Sequence, residues 1–93
     1  MGWRMVQQPN GLLARFDEGI DDFTHSDMTP LEAEVLCRQY VGELEAKGKV
    51  QRGIDAGIAR FTEAIDVIRM VHGDNVADER KQEMSTPVQK EGI

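Results

Sequence analysis

The segment Thr29-Pro30-Leu31-Glu32 constrains the fold of this chain more than any other, because it marks the start of a helix. Thr29 suits the N-cap, Pro30 the first helical position, and Glu32 completes a capping box. Apolar residues then recur every three or four positions, which predicts an amphipathic helix that ends near Gly48. Its apolar stripe comprises Ala33, Leu36, Cys37, Tyr40 and Leu44. The chain therefore divides at Thr29 into a first part and a helical second part.

The first part has the pattern of antiparallel strands. Two runs of strand character, Trp3–Gln8 and Leu12–Phe16, flank Pro9-Asn10-Gly11, which suits a three-residue hairpin loop. Alternation would place five side chains on one buried face: Trp3, Met5, Leu12, Ala14 and Phe16. An isolated hairpin is marginal in water, so helix packing or a further strand must support it. The stretch near Asp22–His25 is either that third strand or an ordered loop.

The part after Gly48 carries a second apolar stripe, with spacings of four and three residues. Its members are Ile54, Ile58, Phe61, Ile65 and Ile68. The pattern predicts one long helix that is firm from Ala59 to His72, whereas three glycines leave residues 48–58 open between helix and loop. We consider two interpretations of this seam: the core-facing side of the helix, or the surface of a symmetric homodimer.

The end of the chain predicts one more helix and a tail. Gly73 ends the long helix, and Asp74 or Asn75 can cap a short helix over Val76–Met84. Pro87 and the scarcity of apolar residues predict a flexible C-terminal tail over residues 85–93. With 93 residues, one domain over residues 1–84 is expected. The predicted fold is α+β, an N-terminal antiparallel β-hairpin of two or three strands packed on two or three helices.

The net charge of −6 lies in one short stretch. Between Arg15 and Arg38 the chain has seven acidic residues and no Lys or Arg: Asp17, Glu18, Asp21, Asp22, Asp27, Glu32 and Glu34. Glu32 and Glu34 belong to the first helical turn, where negative charge suits the helix dipole. The other five are Asp17, Glu18, Asp21, Asp22 and Asp27, and we predict that they form a partner-binding surface; a plain solvated surface is the alternative.

The pattern does not favour catalysis or metal binding. Asp21 and Asp22 are adjacent and would point to opposite sides of a strand, and the acidic spacing does not match a calcium loop. His25 and His72 belong to no zinc-ligand array, and the last-turn position of His72 suits the helix dipole. Cys37 lies on an apolar stripe, where a buried thiol is expected. We therefore expect no catalytic residue, metal or cofactor, and no enzymatic activity.

One basic cluster stands apart from the acidic stretch. It consists of Lys47, Lys49, Arg52 and Arg60. These residues could contact nucleic-acid phosphate, form a solvated face, or form ion pairs with the acidic residues, either within the fold or in a dimer. No aromatic stacking platform accompanies these charges, and the acidic balance repels phosphates, so nucleic acid is not the favoured partner. No apolar run reaches the length of a membrane span, so no membrane partner is expected.

Several segments of the first half resemble a group of small, uncharacterised proteins encoded by bacteriophages and prophages. The likeness covers roughly residues 1–55 and rests on these segments: Gly2-Trp3-Arg4, Gln8-Pro9-Asn10-Gly11-Leu12, Ala14-Arg15-Phe16, Asp21-Asp22-Phe23 and Met28-Thr29. The resemblance implies a phage origin and a place in the cytoplasm of the bacterial host cell. A single cysteine fits a reducing cytosol. The resemblance supplies no catalytic motif.

Together these features predict a non-enzymatic, phage-encoded interaction factor. Its acidic surface would meet a basic host protein, and the specific expectation is inhibition of a host nucleic-acid-handling or defence complex. The alternatives are a homodimeric structural or regulatory accessory protein and, less favoured, a nucleic-acid-binding regulator.

Overall fold

The computed structural model describes residues 2–90 and has an α+β fold, as the sequence predicts. Within these residues three strands come first and four helices follow. The strands are β1 (Trp3–Gln7), β2 (Leu13–Asp17) and β3 (Asp22–Met28), and the helices are α1 (Pro30–Arg38), α2 (Glu43–Asp55), α3 (Ala59–His72) and α4 (Asp74–Ser85). No helix in the described range is long and apolar enough to cross a lipid bilayer.

The strands form one antiparallel sheet in the order β1-β2-β3, so β2 is its centre. The predicted hairpin is confirmed: the Gln8 N–H donates to the Leu12 carbonyl at 2.8 Å across a three-residue loop, and Gly11 has a φ of 90°. The third strand is also confirmed, and it runs beyond His25 to Met28. The β2–β3 register shifts on both sides of Arg15, which indicates bulged pairing there.

Helices cover both faces of the sheet, so the molecule has three layers and two apolar cores. On one face Val6, Ala14 and Phe16 pack with side chains of α3 and α4. On the other face Met5 and Leu13 pack with side chains of α1 and α2. The central strand β2 is therefore buried from both sides.

The single buried face predicted for the hairpin is wrong, because the loop sets a different pairing. Closing the loop at Gln8 and Leu12 places Met5 opposite Arg15 and Val6 opposite Ala14. Directly opposed residues share a face of the sheet, so Met5 and Ala14 lie on different faces. Both side chains are buried because each face has its own helical layer.

The capping box at the start of α1 is confirmed. The Glu32 N–H donates to Thr29 Oγ1 at 3.1 Å, and the Thr29 N–H donates to Glu32 Oε1 at 2.9 Å. Hydrogen bonds from Thr29 and Lys90, with Thr29 N–H the strongest, hold the pKa of Glu32 below its ordinary value. The sequence therefore identifies the boundary between the strand and helix regions correctly.

The predicted end of this helix at Gly48 is wrong. The α1 helix ends at Arg38, the chain turns through residues 39–42, and α2 begins at Glu43. Tyr40 and Leu44, which the periodic stripe assigned to a buried side, are 51% and 86% exposed. The turn shifts the phase of the periodicity, so residues beyond it no longer continue the stripe.

The firm part of the second predicted helix, Ala59–His72, is confirmed as α3, but the apolar stripe upstream of it does not continue the same helix. The α2 helix ends at Asp55, and α3 begins at Ala59. Between them Gly57 has a φ of 60°, a conformation that glycine adopts without steric cost. Residues 48–58 are thus helix as far as Asp55 and then a turn.

This break divides the proposed dimer seam. Ile54 belongs to the core under α2, and Ile58 is exposed in the turn. Phe61, Ile65 and Ile68 are 3%, 5% and 0% exposed, inside the core of the same chain. The core-facing interpretation is therefore the correct one for Phe61, Ile65 and Ile68, and only Ile58 of the described seam is exposed.

The last helix is longer than the predicted Val76–Met84 and starts directly after Gly73. Gly73 ends α3 as predicted, but neither Asp74 nor Asn75 caps α4; Gly73 occupies the cap position with a φ of 99°. After α4, the Thr86 carbonyl accepts the side-chain N–H of Asn10, and Lys90 pairs with Glu32 at 3.1 Å. The predicted tail extends to residues 91–93, which lie outside the described range.

Candidate functional site

The β2–β3 turn, residues 17–22, gathers four of the five predicted partner-binding carboxylates, and we call it the acidic turn. Asp17 accepts the Gly19 N–H at 2.7 Å and lies 3.4 Å from Arg15, and Glu18 pairs with Arg4 at 2.9 Å. Asp21 has a φ of 52° and makes no side-chain hydrogen bond or ion pair with residues 2–90. Within the acidic turn, Asp21 is thus the carboxylate most available to a partner.

The fourth carboxylate of the acidic turn, Asp22, anchors α4 to the sheet. Arg80 donates from Nε to Oδ1 at 3.2 Å and from Nη2 to Oδ2 at 3.1 Å, and the Phe23 N–H donates at 2.7 Å. Burial raises the pKa of Asp22, but the hydrogen bonds from Arg80 and Phe23, together with the charges of Arg80 and His72, outweigh it and lower the pKa overall. Asp22 therefore stays ionised at neutral pH in a structural role.

The fifth carboxylate, Asp27, lies at the other end of β3 in a partly buried polar network. Its Oδ1 accepts from Gln8 Nε2 at 2.9 Å and from Asn10 Nδ2 at 3.0 Å, and its N–H donates to Gln8 Oε1 at 2.7 Å. Gln8, only 1% exposed, also donates to the Met84 carbonyl at 3.3 Å. The network joins the hairpin loop, β3 and α4, so the structure separates Asp27 from the acidic turn and gives it internal bonds.

The outer side of β3 has no backbone partner within residues 2–90. Three exposed residues lie in the middle of the strand, Thr24, His25 and Ser26, and we call them the β3 edge. A cavity of about 320 Å³ adjoins them, lined also by Phe23, Asp27, Arg80, Glu83 and Met84. An unpaired edge strand can accept an extended segment of another chain.

The opposite edge of the sheet is covered. The α2 helix passes so close to β1 that a Cβ added to Gly53 would lie 2.9 Å from the Met5 carbonyl oxygen. Arg60 Nη1 donates to the same oxygen at 3.3 Å. Of the two sheet edges, the one at β3 is therefore the open one.

Beside the covered edge lies a second cavity, of about 300 Å³, which we call the basic cavity. It is lined by Trp3, Arg4, Met5, Lys49, Arg52 and Arg60. Three members of the predicted basic cluster thus meet here, whereas Lys47 lines a groove between α1 and α2. The sequence indicates no aromatic stacking platform for these charges, but the fold brings Trp3 from β1, and Lys49 Nζ lies 4.2 Å from the centre of its ring.

A buried arginine, which the sequence does not reveal, lies under this ring. The Arg15 guanidinium carbon is 4.8 Å from the ring centre of Trp3 and 4.7 Å from that of Tyr40. Its Nη1 donates to Thr24 Oγ1 at 2.9 Å, whereas its buried Nε has no partner in the described chain. If the hairpin register were known, strand alternation would place Arg15 on the face of the sheet that α1 and α2 cover, opposite Met5.

The cysteine and the two histidines show no sign of a catalytic or metal-binding arrangement within residues 2–90. Cys37 is fully buried, and burial raises the pKa of its thiol, so the thiol stays protonated at neutral pH. His72 is the last residue of α3, and its Nε2 donates to the Ile20 carbonyl at 3.0 Å. His25 is exposed on the β3 edge, beside Thr24 Oγ1. Residues 2–90 contain no group of three or more metal-ligating side chains.

Comparisons with known protein families, with characterised proteins and with solved structures found no match to this chain. The acidic turn, the β3 edge and the basic cavity are therefore the features that bear on function.

Proposed function

We propose that this protein is a non-enzymatic, phage-encoded interaction factor that binds a basic segment of a host protein along the β3 edge. The observation that carries the proposal is the open edge of β3 directly beside the acidic turn. Seven residues in strand conformation span about 20 Å, enough to pair with a short extended segment. Backbone pairing would supply affinity, and the acidic residues would select a segment that carries Lys or Arg.

The charges around the edge support this choice of partner. Asp21 lies at one end of β3 and has no side-chain partner among residues 2–90, and Glu79 and Glu83 project from α4 beside Arg80. Both glutamates are exposed, and exposed ion pairs contribute little stability, so an incoming cation can compete for them. The β3 edge itself is polar, with Thr24, His25 and Ser26 exposed, which suits a reversible contact in water.

The resemblance to phage-encoded proteins supplies the setting for the proposal. In the bacterial cytoplasm, the host proteins richest in exposed basic segments are those that bind nucleic acids. Occupying such a segment would block its access to phosphates. The specific form of the proposal is therefore inhibition of a host nucleic-acid-handling or defence complex.

The first test uses paired charge variants in affinity capture from host lysate. The double variant Glu18→Gln and Asp21→Asn removes two charges from the acidic turn; Asn is chosen at position 21 because it tolerates positive φ. The matched control, Glu43→Gln and Asp66→Asn, removes two exposed charges from α2 and α3. We expect the captured protein to be lost with the first variant and with added salt, but retained by the control. Equal retention by both variants contradicts the proposal.

A second experiment locates the contact. A photo-reactive amino acid replaces either His25 on the β3 edge or Met70, which is 86% exposed on α3. We expect the captured protein to crosslink from position 25 and not from position 70. Crosslinking from position 70 alone would place the interface on α3 and overturn the assignment to the β3 edge.

A further inference from the structure

The basic cavity is a concentration of positive charge in an acidic protein. Four of the six residues that line it are cationic, Arg4, Lys49, Arg52 and Arg60, and none is acidic. The chain as a whole has a net charge of −6. At physiological salt, exposed charges are screened beyond about 8 Å, so a ligand in the cavity responds mainly to the charges close to it, which are these four cations and the carboxylates that pair with two of them.

The carboxylates that pair with these cations leave charge available. Arg4 pairs with Glu18 at 2.9 Å and Arg52 with Glu45 at 3.2 Å, and all four side chains are substantially exposed. Exposed pairs of this kind are weak and exchange readily with a competing anion. Lys49 and Arg60 have no carboxylate within 4.0 Å among residues 2–90.

Buried charge reinforces the site from below. The Arg15 side chain is 7% exposed, and its guanidinium lies under the Trp3 ring with Nε unpartnered. Its ion pair with Asp17, at 3.4 Å, is long for a charge-assisted hydrogen bond. A buried cation that is only partly neutralised raises the positive potential of the cavity above it.

We infer that the basic cavity binds a phosphate-bearing ligand, either a free nucleotide or a nucleic-acid strand. The guanidinium groups of Arg4, Arg52 and Arg60 supply the planar donors that bind phosphate oxygens in pairs. Lys49 has a flexible stem and can leave the Trp3 ring to reach a phosphate, which frees a ring surface on which a base can stack. The volume of about 300 Å³ is at the lower end of the range for small-ligand pockets.

Trp3 provides a direct readout because it is the single tryptophan of the chain. The intact protein is titrated at low ionic strength with inorganic phosphate, thymidine monophosphate and a short oligothymidylate, and Trp3 fluorescence is recorded. A saturable change with the monophosphate identifies a free-nucleotide site, and a change with the oligothymidylate alone identifies a site for a strand. No change with any of the three probes overturns the inference.

Matched variants separate this site from general electrostatics. Lys49→Gln with Arg52→Gln removes two cavity charges; Lys47→Gln with Lys81→Gln removes two exposed charges elsewhere. Arg60 is left unchanged because it holds the Met5 carbonyl.

Binding is measured by the anisotropy of labelled oligothymidylate or nucleotide, since Lys49 itself touches the Trp3 ring. We expect the cavity variant to bind at least about tenfold more weakly and, with the oligothymidylate, to reduce the salt slope by about 1.4, against little change for the control. Equal weakening in both variants would show unspecific attraction and end the proposal.

The outcome is independent of the protein-binding proposal. The acidic-turn variant, Glu18→Gln with Asp21→Asn, leaves Lys49, Arg52 and Arg60 in place and frees Arg4 from Glu18. We expect that variant to keep or increase phosphate-ligand binding while it loses the captured protein. A parallel loss of both activities would contradict the assignment to two separate sites.

Discussion

Single residues in this protein decide how closely its layers approach one another. Gly53 lies where α2 crosses β1, and any side chain there would meet backbone rather than a movable group. Gly48, on the same helix, would place a Cβ 3.0 Å from the flexible end of Arg52. The two glycines look alike in the sequence, but their surroundings give them opposite roles.

We predict opposite effects of alanine at these two positions. Gly48→Ala should raise the free energy of unfolding by about 0.5–1 kcal/mol, because alanine is the better helix former and Arg52 can move aside. Gly53→Ala should lower it by about 1–3 kcal/mol, because the new methyl overpacks against the Met5 backbone. Urea unfolding of the two variants and the parent measures both values. Stabilisation by Gly53→Ala would show that α2 is not held tightly against β1.

At the scale of the element, the sequence predicts the boundaries that local signals mark better than those that packing sets. The Thr29–Glu32 capping box and the hairpin loop at Gly11 are local signals, and both are confirmed. The ends of α1 and α2 depend on tertiary packing, which the periodicity of apolar residues does not contain. A stripe that continues in sequence through a turn, as at Ile54 and Ile58, is indistinguishable from one long helix until the turn is known.

The candidate sites show the same division. Four carboxylates gather at the acidic turn because they are close in sequence, and that clustering is predictable. The basic cavity is not, because it needs β1, α2 and α3 to bring Trp3, Lys49 and Arg60 together. The internal bonds of Asp22 and Asp27 likewise depend on α4 and on Gln8, both far away along the chain.

The network around Asp27 joins three elements, and we predict that it stabilises the fold. Asp27→Gly removes the carboxylate and relieves the positive φ of 56°, which offsets the entropy that glycine adds to the unfolded chain, so a loss of stability mainly reports the network. Because buried Gln8 then loses a hydrogen-bond partner, we expect a loss of about 1–3 kcal/mol in the free energy of unfolding. The same measurement on Asp21→Asn, which has no such bonds, should give almost no change. If Asp27→Gly leaves the free energy of unfolding unchanged, Asp27 becomes a candidate for the binding surface again.

At the scale of the whole molecule, charge and packing are arranged across the sheet. The open β3 edge lies at one side of the sheet and the basic cavity at the covered β1 edge, and the acidic turn reaches that cavity through the ion pair of Glu18 with Arg4. Between them, β2 contributes Leu13 to one core and Ala14 to the other. The two helical layers are therefore coupled through one shared strand.

This coupling predicts a single unfolding transition. Ile68→Val, in the α3/α4 core, should lower the free energy of unfolding by about 0.5–1.5 kcal/mol. Trp3 packs in the opposite core, so its fluorescence reports the α1/α2 layer, whereas circular dichroism reports all helices. We expect both midpoints to move together in thermal unfolding. A shift in circular dichroism without a shift in Trp3 fluorescence would show that the two layers unfold separately.

The double burial of β2 has a consequence for the order in which the protein is made. The ribosome delivers the three strands first, and α1 and α2 follow soon enough to shield one face of the sheet. The face that carries Val6, Ala14 and Phe16 has to wait for α3 and α4, which emerge last. A nascent chain at that stage displays an apolar surface, so this interval of synthesis is the one in which chaperones would engage it.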